Sequence, residues 1–179
     1  LHMSTEYLVL IIGYMFGFYM AWNIGANDVA NSMASAVGAE AITIRQAVFI
    51  AGILNIVGAV FIGGHVTETI RKGIVAPEVL SDPHLTLLGA LAALLAAASW
   101  VSFATWRSLP VSTTHSIVGA MIGFGVTASG FAAIQWKVLG GVVLSWIISP
   151  LFALVIGLGM FKLIVWLVMA RSRRSEEHT

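Results

Sequence analysis

The sequence predicts an all-α, polytopic membrane protein with about five transmembrane elements. Three observations predict it. The 179 residues are 59% hydrophobic and only 9% charged, against roughly 25% charged in an average soluble domain. The mean hydropathy is +0.95. The apolar residues fall in runs with at most one charged residue each, long enough to span a bilayer core, which takes about 20 residues per helix. This composition excludes an ordinary soluble enzyme domain, a nucleic-acid binder and a disordered linker. The chain has no cysteine, which excludes disulfides, thiol catalysis and thiolate metal sites.

The first run begins at Tyr7 and continues to about Gly38, with Asp28 its one acid. It is about 30 residues long, more than a bilayer core of about 30 Å needs at about 1.5 Å per residue. Gly25 therefore predicts a broken first helix. It does not read as a signal peptide, because no basic segment precedes it. Leu1-His2-Met3 is not a natural start and reads as a cloning scar or an upstream in-frame extension. The second run spans Gln46–Thr67, between Arg45 and Glu68, and the third, rich in Ala and Leu, spans Leu85–Trp106. The fourth, Ser108–Trp136, is polar and Gly-rich in its first half and is expected to be broken or re-entrant. The fifth, Val138–Ala170, is interrupted by Pro150, which lacks a helix donor, and by Lys162, expected to snorkel to an interface.

The segment Glu68–His84 reads as an irregular external loop containing Pro77 and Pro83. Arg171, Arg173 and Arg174 place the C-terminus in the cytoplasm and, with five crossings, the N-terminus outside. Arg45 and Arg107 then lie inside, and Arg71, Lys72 and Lys137 outside. Nothing splits the chain, so 1–179 is expected to be a single transmembrane domain, with 171–179 beginning a cytoplasmic linker. Gly13/Gly17 and Gly119/Gly123 have the spacing of helix-packing positions. Gln46 and Asn55 either line a cavity or pack, and Glu68 and Arg71 have the spacing of a surface pair.

Polar residues inside spans are the informative ones. Asn23-Ile24-Gly25-Ala26-Asn27-Asp28-Val29-Ala30-Asn31-Ser32 puts an acid within the first run. Such a charge costs about 2.5–3.5 kcal/mol on insertion scales, so Asp28 needs a partner, a proton or a cation. Asn27, Asp28 and Asn31 share a helix face, and carboxylate and amide oxygens suit a hard cation such as Na⁺. The alternative is that the Asn and Ser side chains only bind helices together. The second cluster is Pro110-Val111-Ser112-Thr113-Thr114-His115-Ser116. Pro110 suits a helix start, where free N–H groups, a positive dipole and hydroxyls make a phosphate-type anion site. The alternative is an ordinary N-cap. His115 is either a hydrogen-bonded structural residue or a proton carrier or gate.

Gly25-Ala26-Asn27-Asp28-Val29-Ala30-Asn31 and Pro110-Val111-Ser112-Thr113-Thr114-His115 resemble the signatures of the inorganic phosphate transporter (PiT) family. The likeness runs from about Tyr14 to about Val126 and includes Arg71-Lys72-Gly73-Ile74-Val75. The resemblance implies phosphate transport coupled to Na⁺ or H⁺, by a fold of two inverted repeats that each carry one Gly-Ala-Asn-Asp copy. It implies cation ligation by Asn27, Asp28 and Asn31. It implies phosphate binding by Asp28, Ser112, Thr113 and Thr114. Only one motif copy is present, so the chain looks like the first half of such a transporter. The second repeat would come from the same longer gene, a separate chain or an antiparallel copy of this one.

Other readings are a sulfate or oxyanion permease, a channel-like membrane subunit, and an intramembrane hydrolase using Ser112 or Ser116 with His115. The expected partners are phosphate, Na⁺ or H⁺, the lipid bilayer of the plasma (inner) membrane, and a second copy in a homodimer. No cofactor, no metal beyond the transported cation, no nucleic acid and no enzymatic activity are expected.

Overall fold

The structure is a computed structural model. It describes residues 5–176, with the side chains of residues 5–6, 66, 69–72 and 170–176 outside the description. Among the described residues six α-helices follow one another: α1 Thr5–Gly38, α2 Ile44–Phe61, α3 Gly63–Gly73, α4 Pro83–Trp106, α5 Thr113–Ser129 and α6 Trp136–Glu176. Short 3₁₀ turns lie at Val79–Ser81 and Phe131–Ala133. Among the described residues, four helical stretches are long and apolar enough to cross a membrane: Tyr7–Gly38, Ile44–Phe61, Pro83–Trp106 and Trp136–Met169. The chain divides into two compact units, residues 1–136 and 137–179.

In the first unit, α4 packs against both α1 and α5. The sequence makes this possible with small residues: Gly89, Ala93, Ala97 and Val101 recur every four residues on α4 and are all buried, as is Ala104. Side chains four apart share one helix face, and small ones let neighbouring backbones approach closely. Met20 of α1 joins Ala97, Ala98 and Val101 in a core flanked by Ile24, Val111 and Ile117. Leu91 lies opposite Gly13, Ser102 opposite Asn23 and Thr105 opposite Asn27, so α1 and α4 run parallel.

Several expectations are corrected. The first helix is not broken: α1 continues through Gly25 for 34 residues. The polar side chains around Gly25 are satisfied partly within α1 and partly by α4 and α5, and the helix continues unbroken. The second run splits at Ile62 (φ −120°, ψ −23°) into α2 and α3. The fourth run contains a non-helical lead-in and a continuous 17-residue α5, about 25 Å long at about 1.5 Å per residue. Its breaks lie before Thr113 and at Gly130, whose φ of 76° ends the helix. Pro150 does not end the last helix, which runs 41 residues with the proline inside it.

The segment 68–84 is not a plain loop. Ile74, Val75 and Val79 are buried, and Val75 pairs antiparallel with Ile134. Ala76 N–H donates to Ala133 (2.8 Å) and Gln135 N–H to Ile74 (3.0 Å). Gln46 is a capping residue: with Thr43 it closes the capping box of α2. Asn55 Nδ2 donates to the Ala51 carbonyl of its own helix (2.8 Å). The Arg71 side chain of the expected Glu68 pair, and the side chains of Arg171, Arg173 and Arg174, lie outside the described residues.

Both α1 and α4 end with a residue in the left-handed region, Glu40 and Ser108, each at φ 57°. Ala41 N–H reaches the Ala36 carbonyl (3.0 Å) and Glu40 N–H that of Val37 (3.0 Å). Leu109 N–H reaches Ala104 (2.8 Å) and Ser108 N–H reaches Thr105 (3.0 Å). These pairs form two Schellman motifs, which satisfy terminal carbonyls. In the second unit, residues 147–169 of α6 expose apolar side chains all round, as a lipid-facing helix does.

The tightest glycine is not at a predicted packing position. No neighbour lies within 4 Å of where a side chain would start at Gly17, Gly119 or Gly123. A methyl group on Gly89 would lie 2.2 Å from the Phe124 ring. Gly89→Ala is therefore expected to cost about 1–3 kcal/mol of stability by overpacking. The double variant Gly89→Ala/Phe124→Leu should recover much of that loss in detergent-solubilised thermal unfolding. Equal melting of Gly89→Ala and wild type would refute the contact.

Candidate functional site

The site is built where α1, the C-terminal end of α4 and the N-terminus of α5 meet. α1 presents Tyr19, Asn23, Asn27 and Asn31 at four-residue intervals, and Asp28 sits one residue around the helix from Asn27. Asn23 and Asn27 are buried, Asp28 is half-buried and Asn31 is exposed. A buried amide needs partners for both its ends. Asn27 Nδ2 donates to Thr105 Oγ1 (3.0 Å). Its Oδ1 accepts from Asn31 Nδ2 (2.8 Å) and from the Val111 N–H (3.4 Å). Asn31 Nδ2 also lies 3.5 Å from the Val111 carbonyl oxygen.

The second cluster begins helix α5. Ser112 is its N-cap, with Oγ accepting from His115 N–H (3.3 Å), and Ser116 Oγ donates to the Ser112 carbonyl (2.9 Å). Thr113 is the first helical residue and is buried. Its hydroxyl donates to Asp28 Oδ2 (3.0 Å). Through this bond the two sequence clusters, 85 residues apart, meet.

The predicted residues divide between two faces of α5. Thr113 turns toward Asp28, with Asn27 and Asn31 close by on α1. Ser112, His115 and Ser116 line a cavity of about 490 Å³ between α4 and α5, with Trp100, Val111 and Gly119. Thr114 is exposed and makes neither contact. Asn27 has both oxygen lone pairs engaged by protein donors, so in this arrangement it is a strut. The oxygens of Asp28 and Asn31 are the ones left to receive a ligand.

Sequence reasoning missed the α4 side of the site. Ser102 Oγ donates to Asn23 Oδ1 (2.7 Å) and is itself hydrogen-bonded to the Tyr19 hydroxyl. Ser102 and Thr105 are hydroxyls three apart within an Ala/Leu-rich span, a signal present in the sequence but easily read as neutral filling.

The family model for the phosphate transporter family matches residues 24–179, including both clusters. The chain belongs to this family. A Thermococcus kodakarensis protein named "Putative phosphate permease" is 53% identical over 153 residues, 86% of this chain and 38% of that protein. The chloroplastic inorganic phosphate transporter 2-1 of Arabidopsis thaliana is 48% identical over 151 residues, 84% of this chain and 26% of the plant protein. A solved structure described as the sodium-dependent phosphate transporter superposes with a TM-score of 0.82 at 54% identity, covering 88% of this chain and 39% of that one. The chain thus spans well under half the length of these relatives. Family membership and the apolar helices together make it an integral membrane protein.

The strut reading of Asn27 makes a structural prediction for this member of the phosphate transporter family. Asn27→Leu leaves the half-buried Thr105 hydroxyl and the Val111 N–H without their partner and should cost about 1–3 kcal/mol. Asn31→Ala, at an exposed position, should cost less than half as much in the same detergent thermal unfolding. The reverse ranking would remove Asn27 from its strut role.

Proposed function

We propose that the chain forms one half of a cation-coupled phosphate symporter. In this reading Asp28 and Asn31 take part in cation ligation, with Asn27 fixing their placement. Ser112 and Thr114, with the N-terminal amides of α5, hold phosphate oxygens, and the Thr113 hydroxyl joins them by turning from Asp28 to the anion once a cation takes the carboxylate. The observation that supports this most directly is the Thr113–Asp28 hydrogen bond. It brings the acid of α1 to the start of α5, where dipole and N–H groups favour an anion. A carboxylate and a phosphate repel each other at that distance, so the anion is held well only when a cation or proton lies with them. Symport follows from this charge balance.

Na⁺ is proposed as the coupling ion, supported by the sodium-dependent relative. The proposed location is the plasma (inner) membrane, with the N-terminus outside and the C-terminus inside. The parallel course of α1 and α4 supports placing Arg45 and Arg107 on one, cytoplasmic, side. The chain is proposed to act as one transmembrane domain of a larger assembly. A second, inverted half completes the site, supported by the greater length of the relatives, and the assembly is proposed to pair as a homodimer. The Ser112 and Ser116 hydroxyls are engaged in starting α5, which favours transport over hydrolysis.

Two measurements on the intact protein in proteoliposomes test this. Labelled phosphate uptake should require an inward Na⁺ gradient, and Asp28→Asn should abolish the gradient-dependent part while the protein still inserts. Thr113→Val should raise the phosphate KM about tenfold, the size expected for a hydrogen bond to a charged group, with a smaller effect on the Na⁺ requirement. Gradient-independent uptake, or full coupling in Asp28→Asn, sinks the symport reading.

A further inference from the structure

Asn23 and Asn27 lie one helical turn apart on α1, and their partners Ser102 and Thr105 lie one turn apart on the parallel α4. The bonds have a fixed direction. Ser102 has one hydroxyl proton and donates it to Asn23 Oδ1. Its bond with the Tyr19 hydroxyl therefore takes the tyrosine's proton. Asn23 Nδ2 closes onto the Tyr19 carbonyl of its own helix (2.8 Å). One turn on, Thr105 holds Asn27, which holds both Asn31 and Val111. Four α1 side chains thus form a line whose rotation about the helix axis is set by two α4 hydroxyls.

Asp28 follows Asn27 by one residue, about 100° around the helix. With the asparagine line facing α4, Asp28 is turned to the start of α5 and meets Thr113. Simple helix adhesion needs no such phase relation, and one amide contact would serve it. Here both ends of both buried amides are engaged, at two successive turns.

We propose that Ser102 and Thr105 are positioning residues for the cation site: they hold α1 at the rotation that aims Asp28 at Thr113. This rests on the symport reading for its transport consequence, but not for its geometric one. Thr105→Val keeps the shape and removes the acceptor for Asn27, whereas Thr105→Ser keeps the acceptor.

The test uses the intact protein with two readouts. Cysteines placed at positions 28 and 113 (Asp28→Cys/Thr113→Cys) report their approach by oxidative cross-linking; the chain has no cysteine of its own. Adding Thr105→Val should slow cross-linking severalfold, and adding Thr105→Ser should restore it. In the otherwise unsubstituted protein in proteoliposomes, Thr105→Val should raise the half-saturating Na⁺ concentration about fivefold, the size of one lost hydrogen bond. The maximal phosphate uptake rate should stay within twofold. If Thr105→Val does not reach the membrane, Ser102→Ala is measured in its place with the same expectations. Unchanged cross-linking in the hydroxyl-deleting variant overturns the positioning role. Slowed cross-linking without any Na⁺-dependent uptake in the unsubstituted protein leaves the positioning role standing and removes the symport reading instead.

Discussion

Polar side chains on a membrane-crossing helix must find their partners inside the protein, because the hydrocarbon around them offers none. α1 carries Asn23, Asn27, Asp28 and Asn31 within a stretch otherwise apolar and lipid-facing, and the first unit is arranged around that demand. α4 supplies Ser102 and Thr105 on the side that faces α1. The link between α4 and α5 supplies the Val111 N–H, and α5 begins with the Thr113 hydroxyl. Each group is placed by a different device: helix periodicity on α1 and α4, a Schellman turn at Ser108, and an N-cap at Ser112.

The hydrogen bonds are possible only because the helices come close. Asparagine and serine side chains are short, so their contacts of about 2.7–3.0 Å require neighbouring backbones with little between them. The small-residue line on α4 provides this, with Ala97, Ala98 and Val101 against Met20 just beside the asparagines. Packing and polarity depend on each other here. A larger residue in the alanine line would separate the amides from their partners, and unpaired amides would make the close approach unfavourable. Interhelical hydrogen bonds in membranes average only about 0.6 kcal/mol in double-mutant cycles, so orientation, more than raw stability, is what the polar line contributes.

Much of this was legible before any coordinates. The membrane class follows from charge depletion. Both clusters stand out because acids, amides and grouped hydroxyls are costly inside spans, and the Ser112 N-cap of α5 follows ordinary capping chemistry, although Pro110 lies before the helix instead of starting it. What was illegible has physical causes. Gly25 promised a break, but glycine weakens a helix by only about 1 kcal/mol, and side-chain contacts across to α4 hold the helix together. Glu40 and Ser108 occupy positions where glycine is the usual signal, so neither helix end announces itself. Ser102 and Thr105 were hidden because a single hydroxyl in a membrane helix bonds to its own backbone as readily as to a neighbour. Only the relative rotation of two helices decides which, and the sequence does not carry that rotation.

The division between strut and ligand changes how the proposed coupling would work. If every asparagine were a cation ligand, binding would have to organise the site from loose parts, and ordering several side chains would weaken it. With Asn23 and Asn27 already tied to α4, Asp28 is held in place before any ion arrives. A carboxylate and a phosphate about 4 Å apart repel by about 4 kcal/mol at an effective dielectric of about 20. A cation between them reverses that sign. On this proposal the protein would need no separate signal linking the two ions, since a fixed carboxylate would make the site poor for phosphate alone and good for phosphate with its cation. Rigidity in the strut would keep this proposed balance strict: an Asp28 free to swing away would relieve the repulsion without the cation and let phosphate bind uncoupled.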